Sequence, residues 1–435
     1  MRTVTIFYIQ KYLINCYNEI NVTWKETEEK MCEENNLVEK LVQSNNNSIV
    51  LLIMDGVGDI PSEEHGGKTP LEYAMTPNLD KLSKKSILGR HIPVLPGITP
   101  GSGPGHLGVF GYDPIEYEIG RGILEAAGMD MEINEGDIAA RCNFATADEY
   151  GIITDRRAGR ISTEKCEEVC NILRQNIKEI NNVEVVIKAG IQHRFVVVFK
   201  GENLFEGVTD SDPLMEGKEP LKVKALTNDA AFTAEIVNEF FDRAMKVIKD
   251  LQPANSILMR GFSAKPSISP MNERFKINPV CIAHYPMYRG LSRLVGMSVL
   301  DAGNSPEDAY NVYKENCSLY DYAFIHIKYT DSYGEDGNFE GKVKTIEAVD
   351  KALPILLEKK PDVLCITGDH STPAPMKSHS WHPVPVLINS RYCGYDDGVR
   401  FTENECNKGG LGIFQSKYLI NYLLANAGKL SKYGA

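Results

Sequence analysis

Three apolar runs in this chain each stop at an aspartate: Ile49 to Met54 before Asp55, Tyr322 to Thr330 before Asp331, and Val363 to Gly368 before Asp369. Strands of a parallel sheet are buried on both faces and read as continuous apolar runs, with ligands bound beyond their carboxyl ends. An aspartate after a strand is also a common cap or turn residue, so each one alone is ambiguous. Three together predict carboxylates delivered to one crevice. A fourth run, Pro383 to Ile388, predicts another strand. Thr76-Pro77 opens a helix with Leu79 and Leu82 at i, i+3 spacing, and further helices are predicted at Pro306 to Leu319, Lys342 to Glu358 and Phe414 to Asn426.

The middle third has another rhythm. Val183 to Ile187 and Arg194 to Phe199 are β-rich runs flanked by predicted helices at Thr163 to Ile180 and Asp229 to Leu251. Alternating βα units on either side of an α+β block predict an α/β fold with a mainly parallel sheet flanked by helices and interrupted by a smaller inserted domain. The expected division is a core of residues 49–122 and 265–435 with an insert of 123–264. Residues 1–48, ending in QSNNNS, read as an N-terminal extension, weakly helical or disordered, with Met31 as an alternative start.

The chain has 435 residues, 43% hydrophobic and 24% charged, which suits a soluble globular protein with a large core. A formal charge of −12 argues against nucleic acid or an anionic membrane as partner. It does not exclude a small anionic substrate, because metal ions and a few arginines reverse the field locally. No run approaches the roughly 20 apolar residues that span a bilayer, and the N-terminus lacks a signal-peptide core and cleavage site, so a cytoplasmic location is expected. The ten cysteines are scattered; Cys166 and Cys170, at i, i+4, are expected to be free thiols. Nothing in the sequence fixes the oligomeric state, and a homo-oligomer is compatible with it.

Asp369 is followed by His370, with His379 nine positions beyond, and carboxylate plus imidazole suits Zn, Mn or a similar divalent ion. Ser102 lies among small residues in Thr99-Pro100-Gly101-Ser102-Gly103-Pro104-Gly105-His106, where a phosphate can approach the backbone and a following helix would favour an anion. A serine hydroxyl needs activation to act as a nucleophile, and two divalent cations about 4 Å apart would supply it while clamping a phosphoryl group. Asp155, Arg156, Arg157 and Arg160 form a group able to grip a phosphate and a carboxylate, although a solvated charge run has the same composition. Lys328, near the end of an apolar run, is placed to point into the crevice.

MDGVGD, TPNLDKL, TPGSGPGHLGVFGYDP, DRRAGR, HIKYTD and TGDHSTP together resemble the motifs of cofactor-independent phosphoglycerate mutases of the archaeal type, in the alkaline phosphatase superfamily, from about Ile49 onward. The resemblance implies a phosphatase-like α/β core split by a substrate-binding insert, and interconversion of 3- and 2-phosphoglycerate in glycolysis and gluconeogenesis. It further implies two divalent metal ions (Mn the first choice, with Mg, Zn or Co as others), no 2,3-bisphosphoglycerate, and a small phosphorylated metabolite as partner. Asp55, Ser102, Asp369 and His370 match the ligands of one metal, with Ser102 also the residue phosphorylated in turnover; Asp331 and His379 match ligands of the second. Asp155, Arg156, Arg160, Arg260 and Lys328 resemble substrate-holding residues. One departure is visible: the family pattern has a histidine where Glu335 stands, so Glu335 is expected to ligate in its place, with His382 a weaker candidate. A metal-dependent phosphotransferase or phosphatase on another phosphorylated metabolite, and a catalytically silent metal-binding homologue, are the competing readings.

Overall fold

β1 (Ile49–Met54) is wholly buried and pairs in parallel with β11 (Tyr322–Ile327) on one side and β12 (Val363–Thr367) on the other. The computed structural model describes residues 37–434. Eight strands form the larger sheet, in the order β10-β9-β11-β1-β12-β13-β2-β14, where β2 is Ile87–Ile92, β9 Pro279–Ile282, β10 Ser298–Leu300, β13 Val384–Ser390 and β14 Gly412–Gln415. β13 runs antiparallel to both its neighbours and the other pairings are parallel.

Side chains alternate across this sheet, so β1 feeds two cores at once. Val50, Leu52 and Met54 pack under Tyr310 and Tyr313 of the helix Pro306–Asn316 and Ile346, Val349 and Leu353 of the helix Phe339–Leu357. Ile49, Leu51 and Ile53 pack on the opposite face with Leu107 and Val109 of the helix Ser102–Val109, Tyr288 of the helix Pro286–Leu294 and the helix Leu419–Asn426. Burial on both faces explains the unbroken apolar runs.

The second sheet comprises β3 (Ile138–Ala147), β4 (Ile153–Asp155), β5 (Glu179–Ile180), β6 (Val183–Ala189), β7 (Arg194–Lys200) and β8 (Ser256–Ala264), all paired antiparallel in the order β4-β3-β7-β6-β5 with β8 against β3. The helices Thr163–Asn176 and Ala231–Ile248 close one face of it, burying Cys166, Cys170, Val237 and Phe240 in its core. The helix Arg121–Gly128 touches both sheets' structures: a Cβ at Gly122 would lie 2.1 Å from Ala139 O of β3, and one at Gly128 2.3 Å from Pro286 O. Only glycine permits both approaches.

Several expectations change. Tyr322 to Thr330 is not one strand: β11 stops at Ile327, and Lys328 caps the helix Tyr329–Asp336, so Asp331 sits in a first helical turn. Phe414 to Asn426 is not one helix, because Gly412–Gln415 pairs with β2 before the helix starts at Leu419. The helix expected to reach Ile180 ends at Asn176, since Glu179–Ile180 pairs with β6. Of the expected extension, residues 37–48 are docked rather than outside the fold: residues 37–41 are helical, Val42 is buried and bridges to Leu430, and Asn45 and Asn47 donate to Ala427 O. Met31 and the residues before it lie outside the described residues. Among the described residues no helix is long and apolar enough to cross a membrane.

Candidate active site

Adjacent parallel strands end level with one another, so β1 and β12 deliver Asp55 and the Asp369–His370 pair side by side. Gly56, at φ +60°, turns the chain away from β1; a Cβ there would stand 2.4 Å from Thr372 Oγ1 and 2.8 Å from Asp331 Oδ1. Its amide donates to Asp369 Oδ1 at 3.1 Å. Ser102 begins the helix Ser102–Val109, where unpaired backbone amides favour an anion. Gly105, one turn on, lets that helix close on β12, since a Cβ would fall 2.7 Å from Asp369 O. Sequence spacing alone does not contain that approach.

The convergent side chains form two groups that share His370: Asp55, Asp369 and His370, and Asp331, His370 and His379. Nε2 of His370 lies 3.1 Å from Asp369 Oδ2, 3.5 Å from Asp55 Oδ1 and 3.4 Å from Ser102 Oγ. Thr372 Oγ1 donates to Asp331 Oδ1 at 2.6 Å and so accepts from His370 Nδ1 at 3.0 Å, which leaves His370 Nε2 free to face the carboxylates and Ser102. His379 Nδ1 donates to Pro100 O at 3.0 Å, turning its Nε2 toward Asp331 Oδ1 at 3.4 Å. These are the tautomers that metal ligation requires.

Burial alone would raise the Asp55 carboxyl, yet the Lys328 charge and His326 hold it well below the usual carboxylate range. Burial pushes His370 down, keeping it neutral. His379 would also be lowered by burial, but its contacts with Asp331 and Pro100 O lift it to about 9, so a metal binding there must displace a proton. Lys328, lowered by burial, is raised on balance by Asp55 and Asp331. Its Nζ donates to Asp55 Oδ2 at 3.0 Å and Asp331 Oδ2 at 2.5 Å. Asp55 Oδ1 and Asp369 Oδ2 are buried with no hydrogen-bond donor. Orphaned carboxylate oxygens facing a free imidazole nitrogen are a donor set that fits divalent cations.

Glu335 lies at the margin of this cluster. Its Oε1 is 3.6 Å from His379 Nε2, the side chain is 54% exposed, and partial burial with the Asp331 charge raises its carboxyl. His382 stacks on Trp381 and bonds Ser380 Oγ, outside both groups. The pattern of runs ending in aspartate did not reveal Tyr288, His106 or His326. Tyr288 donates to Asp55 Oδ2 at 2.5 Å, His326 Nε2 lies 3.2 Å from the same oxygen, and His106 Nδ1 donates to Ser102 O at 2.8 Å. His326 and His106 stood inside the HIKYTD and TPGSGPGH motifs; Tyr288 carried no signal beyond helical spacing.

A separate cavity of about 210 Å³ is lined by Arg121, Arg141, Arg156, Arg157, Arg194 and Arg260, with Asn143 and His193. Burial, with the charges of Arg194 and Arg157 adding to it, pushes His193 down to about 4. Asp212 fixes two of the arginines, accepting Arg156 Nε at 3.1 Å and Nη2 at 2.7 Å, and Arg260 Nη1 at 3.3 Å. Asp155 and Arg160 do not line it. Both Asp155 oxygens accept amides of their own loop, from Arg157 and Gly159 at 2.7 Å, and Arg160 is exposed at φ +52°. A smaller cavity that includes Tyr285 shares Arg141 and Arg194 with the arginine cavity, and Tyr285 also lines the pocket beside Lys328.

Known proteins resemble this chain along most of its length. Residues 83–255 fit the family model described as 2,3-bisphosphoglycerate-independent phosphoglycerate mutase. Proteins called probable 2,3-bisphosphoglycerate-independent phosphoglycerate mutase from Thermosipho africanus and Aquifex aeolicus are 52% and 53% identical over 93% and 92% of this chain, and 100% of their own lengths. Among solved structures, a protein of Pyrococcus horikoshii superposes with a TM-score of 0.77 at 30% identity, covering 90% of this chain and 100% of that one. The cofactor-independent phosphoglycerate mutase of Thermoplasma acidophilum gives 0.71, also at 30% identity, covering 88% and 100%. The α/β architecture, a mostly parallel sheet flanked by helices, is the class expected from the apolar runs, and these two structures share it. With full-length relatives at half identity and the same fold, this chain belongs to the 2,3-bisphosphoglycerate-independent phosphoglycerate mutase family.

Proposed function

We propose that this protein interconverts 3-phosphoglycerate and 2-phosphoglycerate through a phosphoserine at Ser102. The observation that carries the reading is Ser102 Oγ at a helix N-terminus, 3.4 Å from Nε2 of His370, the residue common to the two acid–imidazole groups. The first ion belongs with Asp55, Ser102, Asp369 and His370. The second belongs with Asp331 and His379, with Glu335 as an outer ligand. When bound, the ions neutralise phosphoryl charge and favour the serine alkoxide. A carboxylate in place of imidazole at Glu335 makes the second site harder, which favours Mn or Mg over Zn or leaves that site weak.

Ser102 Oγ loses its proton and attacks phosphorus, the bond to the substrate oxygen breaks, and that oxygen takes up a proton in place of the one the serine gave, so glycerate leaves as the free alcohol. The glycerate, gripped by its carboxylate, turns in place, and its other hydroxyl takes the phosphoryl group back, regenerating Ser102. Arg156 and Arg260, aimed by Asp212, suit the bidentate grip. Lys328, bonded to Asp55 and Asp331, suits the transferring phosphoryl group. Asp155 and Arg160 support that grip through their loop, which carries Arg156 and Arg157. We assign 49–122 and 265–435 to the metal-binding core and 123–264 to the substrate-binding insert; the strands of the second sheet all lie between 138 and 264.

The decisive assay supplies metal-stripped protein with Mn and 3-phosphoglycerate and no bisphosphoglycerate. Formation of 2-phosphoglycerate is the expected outcome. Free phosphate alone would make the protein a phosphatase on the same residues, and no product would make it a silent metal-binding homologue.

A further inference from the structure

Lys342 is the one lysine of the helix Phe339–Leu357 with no exposed surface, and it sits amid that helix's apolar face. Its Nζ reaches four oxygens: Gly56 O at 2.9 Å, Gly58 O at 3.3 Å, Asp59 Oδ2 at 2.7 Å and Thr372 O at 2.8 Å. Three of these belong to the loop after β1 and one to the loop after β12. The amide of Thr372 binds the same Gly56 and Gly58 carbonyls at 3.2 and 3.0 Å, so the two loops are knotted around one ammonium group.

Two of the gripped residues, Gly56 and Thr372, bear directly on the acid–imidazole cluster. Gly56 follows Asp55, and its amide holds Asp369 Oδ1. Thr372 holds both Asp331 Oδ1 and His370 Nδ1 through its hydroxyl. The helix that carries Lys342 follows the helix that carries Asp331 after a two-residue connection. A buried lysine–carboxylate pair contributes little net stability over an apolar replacement, so ion pairing with Asp59 alone is a weak account of this arrangement. A point to which three ligand-bearing segments are tied is a better one.

We propose that Lys342 is a positioning residue for the metal centre: by gripping the Gly56, Gly58 and Thr372 carbonyls it sets the separation of the loops that present Asp55, Asp369 and His370 and, through Thr372, orient Asp331. It touches neither substrate nor metal. The role rests on the metal-site reading above. Loss of a partner that orients ligands lowers metal affinity by about ten- to a hundredfold.

The test measures Mn affinity of the full chain by the electron paramagnetic resonance of free Mn, alongside thermal melts, for wild type, Lys342→Met, Asp59→Asn and the pair Lys342→Met with Asp59→Asn. The pair avoids an unpartnered buried carboxylate if Lys342→Met alone does not fold. Asp59→Asn should keep wild-type affinity within about threefold, and both Lys342 variants should lose about ten- to a hundredfold. Val237→Ala, which weakens only the second sheet's core, should lose stability and still bind Mn as wild type does. Wild-type affinity in a folded Lys342 variant would overturn the inference and leave the metal site standing. So would an equal loss in Asp59→Asn, which would point to charge, or a paired variant that does not fold with Mn present, which would make Lys342 a fold element. No Mn binding by wild type would overturn the metal reading and this inference together.

Discussion

Arg156 and Arg260 project into the arginine cavity because Asp212 holds three of their nitrogens. Burial would raise the Asp212 carboxyl, but the Arg156 hydrogen bonds and both guanidinium charges keep it below the ordinary range. A carboxyl lowered on folding contributes stability that is complete above its unfolded value of about 3.9 and is lost as pH falls through the folded one. Asp212→Asn should therefore cost about 2 kcal/mol at neutral pH, and the difference from wild type should shrink below pH 4; urea midpoints at pH 7 and pH 3 check both. The same variant should raise KM for phosphoglycerate about tenfold with a smaller effect on kcat, because the grip loosens away from the serine. Ser102→Ala should abolish turnover with an unchanged melting temperature; retained activity measured in a coupled assay would exclude the covalent route. At this scale the sequence was legible where chemistry follows directly from residue type. Asp55, Asp369 and His370 announce themselves at the ends of apolar runs, whereas Asp212 and Tyr288 gain their roles only from partners 56 and 233 positions away.

Among elements, the close approach of the Ser102–Val109 helix to the Asp369 carbonyl just beyond β12 sets where the hydroxyl sits. Gly105→Ala would press a methyl group against Asp369 O and force the helix outward. A displacement of about 1 Å at a reacting atom lowers rate by about a hundredfold, so kcat should fall by that order while Mn affinity at Asp331 and His379 changes little. Strand existence was readable from burial on both faces, as in β1 and β12. Element ends were less so. Lys328 looks like the continuation of β11, but the chain turns into a helix there, with the ammonium held by Asp55 and by Asp331 of that helix's first turn. Phe414 reads as helical by composition, yet the open edge of β2 recruits Gly412–Gln415 as a strand, a tertiary contact that local spacing does not encode.

For the whole molecule, a net charge of −12 surrounds a cavity of six arginines, so an anion entering it meets a local field opposed to the global one. Raising salt from about 0.05 to about 0.3 M should screen the cavity and raise KM severalfold with kcat nearly constant, as initial-rate series would show. Removing metal should lower the melting temperature. Mn at about a hundredfold above its Kd should restore roughly 2.7 kcal/mol if only the folded chain binds it, whereas a melt indifferent to Mn and chelator would contradict a structured metal site. β1, at the heart of the larger sheet, pairs only with strands made far later: Ile49 meets Tyr322 and Val363. During synthesis the segment IVLLIM therefore leaves the ribosome with both edges bare, and stays so while the whole of the second sheet is made. An apolar strand waiting that long is an invitation to sticking between nascent chains, so this protein's yield in a cell should depend on chaperones that shield its early segments until the later ones arrive.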